Sequence, residues 1–240
     1  MSGVKIAALY GIYPHQLGFC GPKDKSAKKV ITDYLLGKNI SEKRVRKILE
    51  QFEGAFPYYN LIAKSNGIKD PFDEKVVKAY WIGNGLLDKV KIDSLKEMII
   101  KEFSGPGLLS KKIAQKKARE IPFNSKPHHS FHVFVVGSVT GVITLKGKLL
   151  DICRVSWGEV VKKEKGKIII KYQPLKKSKN KYFLGNFIKK TIFWDKNLAE
   201  KIEIGDNISC HWSYLIQVLD KKDLENLKKY TQLTLNCLNG

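Results

Sequence analysis

The sequence predicts an α+β fold: an all-helical N-terminal domain, then a small OB-like β-barrel closed by a C-terminal helix. Three observations predict it. Apolar residues recur at helical spacing up to about residue 120; around Pro122 to Pro127 the period changes to two; an amphipathic helical pattern returns over 223–235. The expected domains are 1–122 and 123–240, and 240 residues with 43% hydrophobic content suffice to bury both.

The helical elements follow in order. Val30, Ile31, Tyr34 and Leu35 form one apolar face, stopped by Gly37. Ser41 opens a second helix carrying Val45, Ile48, Leu49 and Phe52. Asp73 precedes Val76, Val77, Tyr80 and Trp81, and Asp93 precedes Leu95, Ile99 and Ile100. Ser104 to Gly107 breaks the chain before a basic helix over 108–120. The stretch Tyr13–Pro22 reads as a loop whose Gly and Pro residues fix a tight backbone. That makes His15 and Cys20 candidate accessory ligands, although a plain turn with Cys20 as a small buried hydrophobe explains the residues as well.

In the second half, Phe131, Val133, Val135, Val139, Val142, Ile143 and Leu145 read as strands punctuated by Gly137, Gly141 and Gly147. Further strands are expected at 150–155, 167–172, 182–193 and 208–218, with a lysine-rich hairpin tip at 174–181 and a closing helix over 223–235. About five short strands with a capping helix correspond to an OB-type barrel.

The charge is lopsided, with 44 basic and 23 acidic residues and a net charge of +21. An acidic partner such as nucleic acid fits that balance, through Lys176, Lys177, Lys179 and Lys181 or Lys111, Lys112, Lys116 and Lys117. Yet almost all the excess is lysine, and the arginines are Arg44, Arg46, Arg119 and Arg154, so solvated lysine faces account for it more simply. The four cysteines (Cys20, Cys153, Cys210, Cys237) form no CxxC pair, which fits a reducing cytoplasm. No secretory signal and no membrane-spanning run is read. No nucleotide, hydrolase or metalloprotease motif is present either.

Two stretches carry candidate chemistry. His128, His129 and His132 supply three of the five histidines within five positions and make candidate metal ligands. On an extended chain, alternation places His128, Ser130 and His132 on one face and His129 on the other. A metalloenzyme built on them would need Cys20 or His211 to complete the site, and a carboxylate from Glu120, Asp151 or Glu159 as acid or base.

The second is a two-part pattern. Cys153-Arg154-Val155-Ser156-Trp157-Gly158-Glu159-Val160 resembles the opening of the HypC/HupF-type hydrogenase-maturation chaperones, Cys-x-x-x-Pro-Gly-x-Val. Gly205, Asp206, His211 and Ile216 fall in register with that family's later Gly-Asp-x-Val-x-x-His-x-Gly-x-x-Ile. Trp157 and Ser213 stand where the family has proline and glycine, and Cys153 is internal rather than N-terminal. The resemblance covers roughly residues 150–235. It implies a cofactor carrier rather than an enzyme, with Cys153 and His211 serving iron or its dicyano-carbonyl complex. The implied partners are other hydrogenase-maturation proteins and the hydrogenase large subunit. The helical front half extends beyond anything the resemblance covers, and the whole chain reads as a family without an assigned function.

Overall fold

A computed structural model describes every residue except Glu200. Its helical part is built around α1 (Gly3–Gln16), which is buried on nearly every side. Against it pack α2 (Lys25–Leu35), α3 (Glu42–Leu49) and α5 (Glu74–Trp81); α4 (Phe56–Ser65) packs on α5, α6 (Ile92–Glu102) on α4, and α7 (Lys111–Arg119) on α6. Asp24 and Asp73 begin α2 and α5 by accepting backbone N–H groups of Ser26 and Lys75, the bonds that free helix N-termini require. Gly3 is obligatory in a spatial sense: a Cβ there would lie 2.0 Å from the Phe72 carbonyl oxygen.

After the basic helix the chain departs from the expected strands. His129–Phe131 is a short α-helix, α8, with His128 as its N-cap, and it runs on as a π-helical turn over His132–Val136. The run of Val and Phe there favours a strand intrinsically. Burial from all sides and the His128 cap select the helical form instead, because sheet propensity requires a partner strand. Residues 137–147 form no strand, and Gly137, Gly141 and Gly147 all take positive φ, which interrupts an extended ladder. Residues 150–155 are also not a strand: α9 (Lys148–Cys153) ends on the cysteine that was expected to open one. At the other end of the chain, Tyr13 to Gln16 belong to α1 rather than to a loop, with Pro14 inside the helix.

The sheet begins at β1 (Ser156–Glu164), followed by β2 (Lys167–Tyr172), β3 (Leu175–Ser178), β4 (Lys181–Leu184), β5 (Ile188–Phe193), β6 (Asn207–His211) and β7 (Tyr214–Val218). Five of these strands pair in the order β1-β2-β5-β7-β6, and β6 returns to β1, so the sheet closes on itself. β3 and β4 form a separate two-stranded ribbon. α10 (Lys221–Asn239) ends the chain.

Two apolar clusters result. Val160, Ile168, Ile170, Ile192, Ile208, Cys210 and Leu215 fill the closed sheet. A larger cluster runs from α1 through the helices to Cys153, Val155, Trp157, Trp212 and the α10 residues Leu227 and Tyr230. The outer face of the sheet is therefore packed onto the helices through one shared core. No helix among the described residues is long and apolar enough to cross a membrane.

Candidate metal centre

β6 delivers the histidine. Ile208 and Cys210 point into the closed sheet, so strand alternation turns Ser209 and His211 outward onto α1. Ser209 shares a hydrogen bond with the Tyr10 hydroxyl at 2.8 Å. His211 Nδ1 lies 2.7 Å from the Tyr10 backbone carbonyl. In an uninterrupted helix that carbonyl would accept from the residue four positions on, but position 14 is a proline and has no N–H to give. The proline thus leaves an acceptor open in the middle of a buried helix, and His211 fills it by donating from Nδ1. Its Nε2 is left bearing the lone pair, buried and without a partner.

α9 delivers the thiol and α8 a second imidazole. The ligand atoms of His129, Cys153 and His211 all lie within 4.8 Å of one another, and all three residues are buried. His129 Nε2 is 2.9 Å from the Cys153 carbonyl, and its Nδ1 is 3.1 Å from the Tyr80 hydroxyl. Tyr80 also reaches the Gly54 carbonyl, so its single proton serves two acceptors. The Trp81 ring stands 4.5 Å from His129 and 5.5 Å from His211 and walls the cluster on one side.

These groups line a cavity of about 50 Å³, which Cys20, Glu53, Gly54 and His132 also border. Ser138, Val139, Thr140, Ile143 and Leu145, from the stretch expected to be strands, form another wall. His132 hydrogen-bonds through Nδ1 to the Tyr58 hydroxyl at 3.2 Å, and a Cβ on Gly54 would come within 3.0 Å of its Nε2. Because the segment is helical, His129 and His132, three positions apart, share the cavity face. The alternation expected for a strand is overturned: His128 lies elsewhere, its ring stacked 5.9 Å from Tyr230 and its Nδ1 accepting the Ser130 N–H. His15 does not line the cavity and closes its own loop through Nδ1 onto the Cys20 carbonyl at 3.0 Å.

Burial sets the protonation states. It pushes the pKa values of His211 and His132 down to about 4, and that of His129 well below the usual imidazole range, where the neighbouring His211 adds to the effect. Burial and then the nearby Cys20 hold the Cys153 thiol well above its ordinary value. Without a cation the centre is a set of neutral donors: two imidazoles and a thiol.

The donor set passes a test of fit for a transition metal. Nitrogen and sulfur ligands suit zinc or iron, and a cation would return the thiol to thiolate. The second sphere matches as well, since metal-binding histidines commonly donate their other nitrogen to a backbone carbonyl, as His211 does to Tyr10. Sequence reasoning found Cys153, His211 and His129 but missed Tyr10, Pro14, Tyr80 and Glu53. Of these only Pro14, a proline where helical spacing continues, left a signal in the sequence.

The fold and site therefore define a helical protein with an attached closed sheet and a buried His/Cys/His group between them. Over residues 1–240 the chain matches, and belongs to, the family described as "Family of unknown function (DUF6390)". No curated protein matches the chain. No solved structure matches it.

Proposed function

We propose that this protein is an accessory protein of metal-cofactor assembly, in [NiFe]-hydrogenase maturation, which holds iron or a cyano-carbonyl iron unit between Cys153, His211 and His129. One observation carries the reading: His211 Nε2 is a buried, unpartnered lone pair aimed into the cluster that also holds the Cys153 thiol. An unsatisfied buried nitrogen costs free energy unless something binds it. Iron bound to cyanide and carbon monoxide favours thiolate, and the cavity, about 50 Å³ and largely apolar in lining, suits an ion with a few small ligands. His211 and Cys153 are ready to bind. His129 is bonded at both nitrogens and would exchange one of those bonds for the metal.

The resemblance to HypC/HupF-type chaperones supports the same reading at the two positions that bear chemistry, Cys153 and His211. Other matched positions have backbone reasons. A Cβ on Gly158 would lie 2.8 Å from the Ile170 side chain, and Gly205 takes φ +97°. Ser213, at the position where the chaperone pattern has glycine, takes φ 64°, a conformation that favours glycine. The strand order β1-β2-β5-β7-β6, with β5 and β7 parallel, favours reading the closed sheet as an OB-type barrel.

The test is anaerobic purification alongside the host's hydrogenase-maturation proteins, followed by metal analysis and infrared spectroscopy. Iron together with cyanide and carbonyl stretching bands is expected in the wild type, with both lost in Cys153→Ala. Wild-type protein that carries neither bands nor metal at this centre would overturn the proposal.

A further inference from the structure

The chain from β2 to β5 forms a two-stranded arm: β2 pairs with β5 along its length, and the β3–β4 ribbon at its end rests on α9 and α10. Alternation on β2 buries Ile168 and Ile170 and turns Lys167 and Lys171 outward; on β5 it buries Ile192 and turns Lys189 and Phe193 outward. In register, Lys167 faces Phe193 and Lys171 faces Lys189. Phe187 and Phe193 are 55% and 46% exposed, with Ile188 beside Phe187 exposed as well.

Three rings along the arm have a lysine against them. Lys167 Nζ is 5.7 Å from the Phe193 ring centroid, Lys171 Nζ is 5.2 Å from Phe187, and Lys177 Nζ is 5.1 Å from Tyr182. Tyr214 stacks behind Phe193 at 5.0 Å and fixes that ring. Among the described residues the ion pairs of the β region are Arg154–Asp151, Lys162–Glu164 and Lys163–Glu203, so these lysines and Lys189 are free of them. Glu159 and Glu164 sit in register beside Lys171 and Lys167 on β1, and the arm remains cationic.

We propose that this arm binds single-stranded nucleic acid, with Phe187 and Phe193 stacking on bases and Lys167, Lys171 and Lys189 on the phosphates between them. Every base has a π face, so exposed rings alternating with cations take a single strand without reading its sequence. A duplex hides those faces, and a bidentate base reader would need arginine, which this arm lacks. An acidic protein would satisfy the lysines and leave the exposed rings Phe187 and Phe193 without a role.

The experiment is fluorescence anisotropy of a labelled 15-mer of thymidylate with the full-length protein across a range of salt. Binding should weaken as salt rises. Phe187→Ala with Phe193→Ala should cost about tenfold or more in affinity with the salt slope unchanged. Lys167→Gln, Lys171→Gln and Lys189→Gln together should flatten the slope by roughly 2, at about 0.7 for each phosphate left without its lysine. Lys111→Gln with Lys112→Gln, on α7, should change neither. The proposal is overturned by absence of binding at low salt, by an aromatic double variant that binds normally, or by a weakening that follows the α7 lysines. Displacement of the strand by polyglutamate at equal charge would also overturn it and make the arm a dock for an acidic protein.

Discussion

Cys153 and Arg154 are adjacent in the chain and both buried, yet the protein treats them in opposite ways. Arg154 is 1% exposed and held by an ion pair: Nε donates to Asp151 at 3.0 Å, and one terminal nitrogen bonds both Asp151 and the Gln173 carbonyl. Asp151 in turn accepts the Tyr172 hydroxyl and the Leu175 N–H, tying α9 to the end of β2. One residue earlier, the Cys153 side chain faces a cavity in which His211 Nε2 has nothing to bond. Both are buried polar groups, but only a charge paired with its counter-charge explains itself as structure. The orphaned His211 Nε2 beside a cavity is what a ligand would explain.

The comparison breaks most sharply on the Arg154 side. Asp151→Ala leaves a guanidinium buried without its carboxylate, and the expected loss is about 3–5 kcal/mol in urea unfolding of the metal-free protein. Arg154→Met combined with Asp151→Leu should recover most of it, since buried ion pairs are replaceable by apolar packing. A loss below about 1 kcal/mol for Asp151→Ala would mean that this cluster is not what fixes α9.

On the cavity side, the neutral imidazoles give the next effect. His132 and His211 have folded pKa values pushed down from 6.5 to about 4, so the unfolded chain binds more protons between those two values. Their stabilising contribution is complete above about 6.5, falls as the solution is acidified, and is fully lost below about 4, on the order of 3 kcal/mol for each. The thermal midpoint of the metal-free protein should therefore drop steeply from pH 6.5 to about 4. His132→Phe, similar in shape and without a titrating nitrogen, should make that slope shallower. An unchanged slope would place the acid sensitivity outside the cavity.

How much of the molecule is legible in its sequence follows the same division. α2, α3, α5 and the later strands show in apolar periodicity because each buries one face, whereas α1, buried on nearly every side, has no such period. The stretch 129–155 misleads because its Val, Ile and Leu pattern suits a strand, while the deciding facts are long-range: no strand lies beside it, and α5 and α10 enclose it. Cys153 and His211 stand out as residue types in two short motifs, and the convergence of their side chains depends on β6 alternation and on α9 ending where it does. His129 is visible as part of a cluster. Whether it shares a face with His132 depends on helix against strand, and periodicity alone does not decide that over a few apolar residues.

Pro14 sharpens the comparison furthest, because it borders the cavity and also acts on a ligand through the backbone. A proline inside a buried helix ordinarily costs stability, through a missing hydrogen bond and a crowded carbonyl. Here the freed Tyr10 carbonyl is taken by His211 Nδ1 at 2.7 Å, which fixes the ring and presents Nε2 to Cys153 and His129. Pro14→Ala supplies an N–H to the helix and makes it compete for that carbonyl. The unfolding midpoint should stay the same or rise, while affinity for Fe(II) or Zn(II) in an anaerobic titration should fall about 10–100-fold, the usual cost of losing an outer-sphere partner of a histidine ligand. If affinity is unchanged while the helix is stabilised, Pro14 is only a helix defect and His211 is held by its strand. If affinity falls with stability intact, the defect in α1 is part of the metal centre, retained because it orients a ligand delivered by the sheet.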